Sequence, residues 1–377
     1  MKLSLMNYLT NKVQSAMTAE GGSINPFNLM LRLVSYAYAA GLKGRQTLYS
    51  RRLLKAKKLP CRVVSIGNIS VGGTGKTPMT IYVARLLQGL GYKAAVISRG
   101  YKGGAEKSGG IVSDGQRIRM TPATAGDEPY LLAQKLEGIP VLVGRDRFRS
   151  GTAAIQAFGV DVVVLDDAFQ HIRLERDIDL VLLDDRRPFG NAHLLPRGTL
   201  REPAEALLRC DAVILSRCLK EKTAILETVR KMASPRPVFR SRHVPMIAGV
   251  IDPTETAGET DSPGAGPDEM RRLRIFAFSG LADNRNFRDS LAETGFRLAG
   301  YGGFPDHHPY TDQDLSDILQ SARQAGAGAL ATTEKDFTKI SGRIHWPLKL
   351  VVMGVQTSFG EEETAFRDFI RDRLAAL

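Results

Sequence analysis

At 377 residues, with 43% hydrophobic and 24% charged residues, the chain has the length of about two domains and the composition of a folded protein rather than a disordered or fibrous one. Three cysteines, Cys61, Cys210 and Cys218, stand without ligand spacing, which argues against a zinc site or a disulfide framework and suits a reducing setting. The net charge of +12 calls for an acidic partner: nucleic acid, an anionic membrane face or a phosphorylated substrate.

The first predicted element is an apolar helix over about 27–42, "FNLMLRLVSYAYAAGL". It is too short and too interrupted to span a bilayer, and no A-x-A-type cleavage site marks it as a signal peptide. Eight Lys/Arg and no acid follow between Lys43 and Arg62. An apolar helix leading into a basic stretch suits peripheral contact with an anionic membrane. The plainer alternative is a helix packed on its own domain with a solvated basic face. The basic stretch has little aromatic interleaving, so no nucleic-acid partner is expected. The chain is expected to act as a monomer.

From residue 60 onward short apolar runs alternate with helical segments. "RVVSIGN" (Arg62–Asn68), "KAAVIS" (Lys93–Ser98), "VLVG" (Val141–Gly144), "DVVVLDD", "DIDLVLLDD" and "DAVILS" read as strands buried on both faces. The class is α/β, a mostly parallel sheet flanked by helices. This N-terminal domain is expected over 1–235. An extended, flexible linker over 236–270 contains the Pro/Gly/Thr/Asp-rich stretch 253–270. A smaller α/β domain is expected over 271–377, with strands at "RIFAFSG", near Phe296–Tyr301, at "GALATTEKD" and at "LKLVVMGV".

The chemistry begins at "GNISVGGTGKTP", Gly67 to Pro78. Between a buried strand and a helix, Ser70, Val71, Gly72, Gly73, Thr74, Gly75, Lys76 and Thr77 form a phosphate-binding loop of the P-loop NTPase kind. Lys76 would reach the β/γ-phosphates and the Thr77 hydroxyl would ligate Mg²⁺. Ser70 stands where the strict pattern has its first glycine, a position that mainly begins the turn. An acidic partner is supplied by Asp166 and Asp167, favoured over the similar pair Asp184 and Asp185 because Gln170 and His171 follow closely. "GDEP" (Gly126–Pro129) sets Asp127 and Glu128 at a helix start, where an ordinary acidic first turn is the simpler reading. "FPDHHPY" (Phe304–Tyr310) could equally be a loop with surface histidines. Both segments are rich in groups able to move protons near neutral pH.

Taken in order, "GNISVGGTGKTP", "SRGY", "GDEP", "VLVGRDR", "LDDAFQH", "LLPRGTLRE", "FPDHH" and "TTEKDFTK" resemble the tetraacyldisaccharide 4'-kinase family over roughly residues 27–375. The resemblance implies an ATP- and Mg²⁺-dependent kinase of lipid A biosynthesis. Such an enzyme phosphorylates the 4'-hydroxyl of tetraacyldisaccharide 1-phosphate peripherally, at the cytoplasmic face of the bacterial inner membrane. It further implies Asp127 as general base polarised by His307, with Glu128 near a metal held by Thr77, Asp166 and Asp167. Arg147 and Arg201 would lie near the transferring phosphate or the acceptor, and Gln170 and His171 would line the same cleft. With Asp127 in the first domain and His307 in the second, catalysis is expected to need domain closure. A GTP-binding switch or metallochaperone is the alternative, resting on the phosphate loop together with the faint likeness of "TTEKD" to a guanine-reading signature.

Overall fold

The computed structural model describes residues 12–13, 16–17, 25–218, 224–253, 272–281 and 283–376. The connection expected at 253–270 lies, apart from Pro253, outside the described residues. Helix α1 (Pro26–Ser50) begins where the Asn25 side chain accepts the Asn28 N–H at 2.8 Å and Pro26 occupies the first turn. It runs beyond the expected end near 42 and so carries Lys43 and Arg45 within the helix. In chain order there follow β1 (Arg62–Asn68), α2 (Lys76–Gly89), β2 (Ala94–Ser98), β3 (Gly110–Ser113), α3 (Pro122–Ala125), α4 (Asp127–Lys135), β4 (Val141–Val143) and α5 (Arg147–Phe158). Next come β5 (Val162–Asp166), β6 (Ile178–Asp184), β7 (Ala212–Ser216), α6 (Ala224–Ala233), β8 (Val238–Arg240) and β9 (Arg242–Ile251). The remainder is β10 (Arg274–Ser279), α7 (Asn284–Glu293), β11 (Arg297–Gly303), α8 (Asp312–Gln324), β12 (Ala329–Thr333), α9 (Glu334–Ile340), β13 (Lys349–Ser358) and α10 (Glu363–Ala375).

These elements form two compact units, each discontinuous in sequence. The first is Met1–Arg99, Asp146–Arg242 and Ser358–Leu377; the second is Gly100–Arg145 and His243–Thr357. The division read from sequence, at 235 and 270, does not coincide with them. Two segments change sides, each for a packing reason. Helix α10 buries Phe366, Ile370 and Leu374 in the first unit, where Phe366 stacks on Phe359 at 4.1 Å and meets Phe239 at 5.2 Å. Helix α4 joins the second unit, where Lys135 forms an ion pair with Glu334 at the start of α9.

In the first unit six strands run parallel in the order β2-β5-β1-β6-β7-β8. Apart from the short edge strand β8 their residues are almost all buried, as the continuous Val/Ile/Leu runs predict. The β5-to-β6 connection passes over β1, so the crevice at the carboxyl end of β1 is a topological switch point, the usual ligand position in such sheets. Register sets Ile66 beside Asp166 there, just before the glycine loop.

The second unit holds a five-stranded sheet, β11-β10-β12-β13-β9, and an antiparallel pair, β3 with β4, of which sequence reading missed β3. Strand alternation divides its core cleanly. Ile275 and Ala277 pack with Phe287 and Leu291 of α7 on one face, while Phe276 and Phe278 pack with Leu315 and Ile318 of α8 on the other.

Candidate active site

The glycine loop leaves β1 and enters α2 through Gly75, whose φ of 87° lies in the left-handed region. Gly72 also has a positive φ, 114°. Ser70 does not; it is extended, nearly buried and bridged to Leu200, and Val71 N–H donates to the Thr199 carbonyl at 2.8 Å. The demand for glycine therefore falls at 72 and 75 and not at 70, which explains why serine is accommodated. A second close approach occurs at Gly67, where an added Cβ would meet the Phe169 backbone nitrogen at 2.7 Å. That glycine lets the turn after β5 lie directly on β1. Thr74 is fixed by Asn68 Nδ2 (3.1 Å) and by the Ser216 hydroxyl, which donates to its carbonyl at 2.9 Å.

Asp166 and Asp167 separate into two environments. Asp166 is buried, and its two carboxylate oxygens accept the Thr80 hydroxyl at 3.0 Å and the Ser98 hydroxyl at 3.1 Å. Asp167 has a left-handed φ of 48° and is partly exposed. It accepts Arg201 Nη1 on both oxygens at 3.1 Å and lies 3.7 Å from Lys76 Nζ. Burial alone would raise its pKa, but the Lys76 and Arg201 charges outweigh that effect and hold the carboxyl below its ordinary range. Gln170 Nε2 donates to the Asn68 carbonyl (2.8 Å) and to Glu202 (3.1 Å), turning its Oε1 toward Arg201 Nη1 at 3.5 Å. Lys76, Asp167, Arg201 and Gln170 thus form one cluster, with Thr77 as the next residue of α2. The rival Asp184 is instead bridged by Arg186 at 2.9 Å and by Arg217.

Arg147 opens α5, is buried, and reaches the Asp166 carbonyl at 3.5 Å. His171 follows Gln170; its burial, with the nearby Arg147 and Arg176 charges, pushes its pKa down to about 4. At this residue the native state therefore binds fewer protons than the unfolded chain between roughly pH 6.5 and 4, so the His171 contribution to stability falls as pH drops through that window. The slope is at most about 1.4 kcal/mol per pH unit. Urea midpoints measured at pH 7 and pH 5 should differ less in His171→Gln than in the wild type; an unchanged gap would exclude His171 as its source.

In the second unit Asp127 occupies the first turn of α4, after Gly126, which makes no side-chain cap. Its Oδ2 lies 3.1 Å from His307 Nδ1 and 3.5 Å from Lys339 Nζ. Burial opposes ionisation of Asp127, yet the His307 hydrogen bond and the Lys339 and Lys335 charges prevail and lower its pKa. Lys335 Nζ sits 3.2 Å from His307 Nε2, 3.0 Å from Asp306 and 4.0 Å from Glu128. Both members of the dyad lie in one compact unit. The expectation that base and histidine come from different domains is corrected: α4 packs with α9, and the dyad is assembled without closure. Glu128 belongs to this unit too, while Thr77, Asp166 and Asp167 belong to the first.

"TTEKD" is accounted for as a helix start. Thr333 caps α9 by accepting Asp336 N–H at 3.1 Å, and Asp336 is fully buried, bonded to Gly280 N–H at 2.9 Å. An aspartate so enclosed does not read a guanine edge, which removes the guanine-reading part of the GTP alternative and leaves it only the phosphate loop that the kinase reading shares.

Comparison with known proteins covers most of the chain. A family model, Tetraacyldisaccharide-1-P 4'-kinase, matches residues 27–375. The chain belongs to this family. Tetraacyldisaccharide 4'-kinases of Desulfatibacillum aliphaticivorans (41% identical over 345 residues, 92% of each chain) and Syntrophus aciditrophicus (43% over 330 residues, 84% of this chain and 85% of the relative) are similar over most of their length. The solved structure of LpxK from Aquifex aeolicus in complex with ATP superimposes with a TM-score of 0.71 at 30% identity, covering 92% of this chain and 99% of that one. For this member of the 4'-kinase family, sequence reading missed Ser98, Thr80, Glu202, Lys335 and Lys339 as direct contacts of the candidate site residues. The two lysines had a legible signal: an i,i+4 spacing directly after a capping threonine places them on one helix face.

Proposed function

We propose that this protein binds ATP with Mg²⁺ on the loop 70–77 and transfers the γ-phosphate to the 4'-hydroxyl of tetraacyldisaccharide 1-phosphate, forming the 4'-phosphorylated lipid A precursor. The observation carrying this reading is the family match over 27–375 together with a glycine loop whose positive-φ positions are the ones a phosphate cradle needs. Loop N–H groups and the start of α2 would hold the phosphates, with Lys76 on the β/γ oxygens. The donors Thr77, Asp166 and Asp167 are hard oxygens, which suit Mg²⁺, an ion that takes few protein ligands and keeps water and phosphate oxygens. Asp167, partly exposed, is the nearer fit, because both Asp166 oxygens already accept hydroxyl hydrogens. When bound, the ion would neutralise charge developing on the phosphoryl oxygens.

Asp127, ionised and poised by His307 and Lys339, would accept the proton as the acceptor oxygen bonds to phosphorus and the bond to the ADP oxygen breaks. Arg147, Arg201, Gln170 and His171 would orient acceptor and phosphate. Incubating the folded protein with ATP, Mg²⁺ and tetraacyldisaccharide 1-phosphate should add one phosphate at the 4' position, read by mass spectrometry. No transfer by protein that binds ATP would overturn the reading.

The acceptor is a lipid, and α1 supports docking at an anionic membrane, taken to be the cytoplasmic leaflet. One face of α1 is tied inward: the Ser35 hydroxyl donates to the Leu194 carbonyl (2.9 Å), Tyr38 OH to the Arg201 carbonyl (2.9 Å) and Gln46 to Glu202 (3.0 Å). The other exposes Leu29, Met30, Leu33, Val34 and Tyr36, and basic residues follow. No helix among the described residues is long and apolar enough to cross a membrane, so the proposed contact is interfacial. Leu33 is 62% exposed, so Leu33→Glu should leave thermal stability unchanged. It should weaken cosedimentation with anionic vesicles about tenfold or more, since burying a leucine is worth roughly 2 kcal/mol. Unchanged vesicle binding would remove this face from the membrane contact.

A further inference from the structure

We propose that Lys335 is a positioning residue that fixes the tautomer of His307, a role whose catalytic consequence rests on the assignment of Asp127 as base. The imidazole is held at both nitrogens: Nδ1 lies 3.1 Å from Asp127 Oδ2 and Nε2 lies 3.2 Å from Lys335 Nζ. An ammonium has three donors and no acceptor, and an ionised carboxylate only accepts. Both contacts are hydrogen bonds in one arrangement alone, with the proton on Nδ1 pointing at Asp127 and the Nε2 lone pair facing Lys335. The opposite neutral tautomer would set an N–H against the ammonium and a lone pair against the carboxylate. The doubly protonated ring would keep the Asp127 bond but still turn an N–H on the ammonium.

The surroundings hold this arrangement in place. Lys335 is anchored by Asp306 at 3.0 Å, with Glu128 at 4.0 Å, and its side chain is 17% exposed. Lys339, one turn further along α9, reaches Asp127 Oδ2 at 3.5 Å and Asp336 at 3.2 Å. The Tyr101 ring meets the imidazole edge-on at 6.1 Å; the Asp306 carboxylate, a nearby group that would favour a proton on Nε2, is 3.9 Å from it, beyond hydrogen-bond distance, and is engaged by Lys335 instead. His307 itself sits in the left-handed region, φ 60°, in a turn where His308 N–H donates to the Pro305 carbonyl at 3.1 Å. Non-glycine residues adopt that conformation uncommonly, histidine more readily than most, and here it turns the ring between α4 and α9.

The consequence is a division of roles. With Nε2 engaged by Lys335, His307 is not the group that takes the substrate proton. It donates through Nδ1, keeps the Asp127 carboxylate oriented, and leaves that carboxylate as the acceptor. Second contacts of this kind set which nitrogen of a histidine works.

The test uses full-length protein labelled with [¹⁵N]histidine, its His307 signals assigned by their loss in His307→Gln. Long-range ¹H–¹⁵N spectra of the wild type should show a protonated Nδ1 and an unprotonated Nε2. Lys335→Met should shift His307 toward the Nε2–H form and lower kcat at least about tenfold at unchanged KM for ATP. Lys335→Arg, also donor-only, should keep the wild-type signature and most of the turnover. A wild-type ring protonated on Nε2, or a signature unmoved in Lys335→Met, would overturn the proposal. The wild-type spectrum decides even if the methionine variant does not fold. Normal turnover in Asp127→Asn with the tautomer as described would remove the base assignment while leaving the Lys335 contact standing, so the two failures are distinct.

Discussion

Asp127→Asn is expected to lower kcat by roughly 10²–10⁴-fold, the range a positioned general base supplies. The change is isosteric, so the amide oxygen can still accept the His307 Nδ1 proton at about the present 3.1 Å. What is lost is the basic lone pair that takes the hydroxyl proton. ATP binding should survive, because the glycine loop and Lys76 belong to the first compact unit and Asp127 to the second. Stability should change little near neutral pH, with a defined sign. The folded-state pKa of Asp127 is lowered, so ionised Asp127 contributes stability above its ordinary range that disappears as pH falls through the folded value. The variant forgoes that contribution at pH 7, while Lys339 keeps Asp336 at 3.2 Å as a partner. Turnover near the wild-type value would exclude Asp127 as the base.

The legible parts of this protein were those with local causes. Strands such as "VVVLD" are continuous β-branched and aliphatic runs because both faces are covered, and each was placed within a residue or two of its bounds. The glycine loop was legible because φ > 0 at 72 and 75 leaves a mark in composition. Asp166 and Asp167 were found as a pair, but their division of labour was not. It depends on Thr80 and Ser98, which approach Asp166 from another helix and another strand. Strand β3 escaped because four residues, Gly-Ile-Val-Ser, carry too little pattern. The compact units escaped for a similar reason. Nothing local to residues 100–145 announces that α4 will pack against α9, and an apolar stripe on α10 does not name its partner. Lys335 and Lys339 lie inside "TTEKDFTK", yet their meaning depends on a turn at His307 about thirty residues away.

Lys76→Ala provides the complementary result: loss of transfer together with loss of nucleotide binding. Lys76 is the first residue of α2, entered through the left-handed Gly75, so its ammonium adds a full charge to N–H groups already directed at a phosphate. Removing a charge that stabilises a transferring phosphoryl group costs on the order of 10³ in rate. The variant should also lose most of the ATP-dependent rise in melting temperature. In the wild type that stabilisation is about 2.7 kcal/mol at a ligand concentration a hundred times Kd. Lys76→Arg should not restore it, because a planar fork does not replace a compact ammonium inside a narrow loop. The protein without ligand should tolerate the change, since Asp167 keeps both contacts with Arg201 at 3.1 Å, although its pKa should move up once the Lys76 charge is gone. Thermal shift with and without ATP·Mg²⁺ then separates the two units' contributions: Asp127→Asn should keep the shift and lose transfer, and Lys76→Ala should lose both. A Lys76→Ala protein that retained the full ATP shift would take the phosphate-binding role away from this loop.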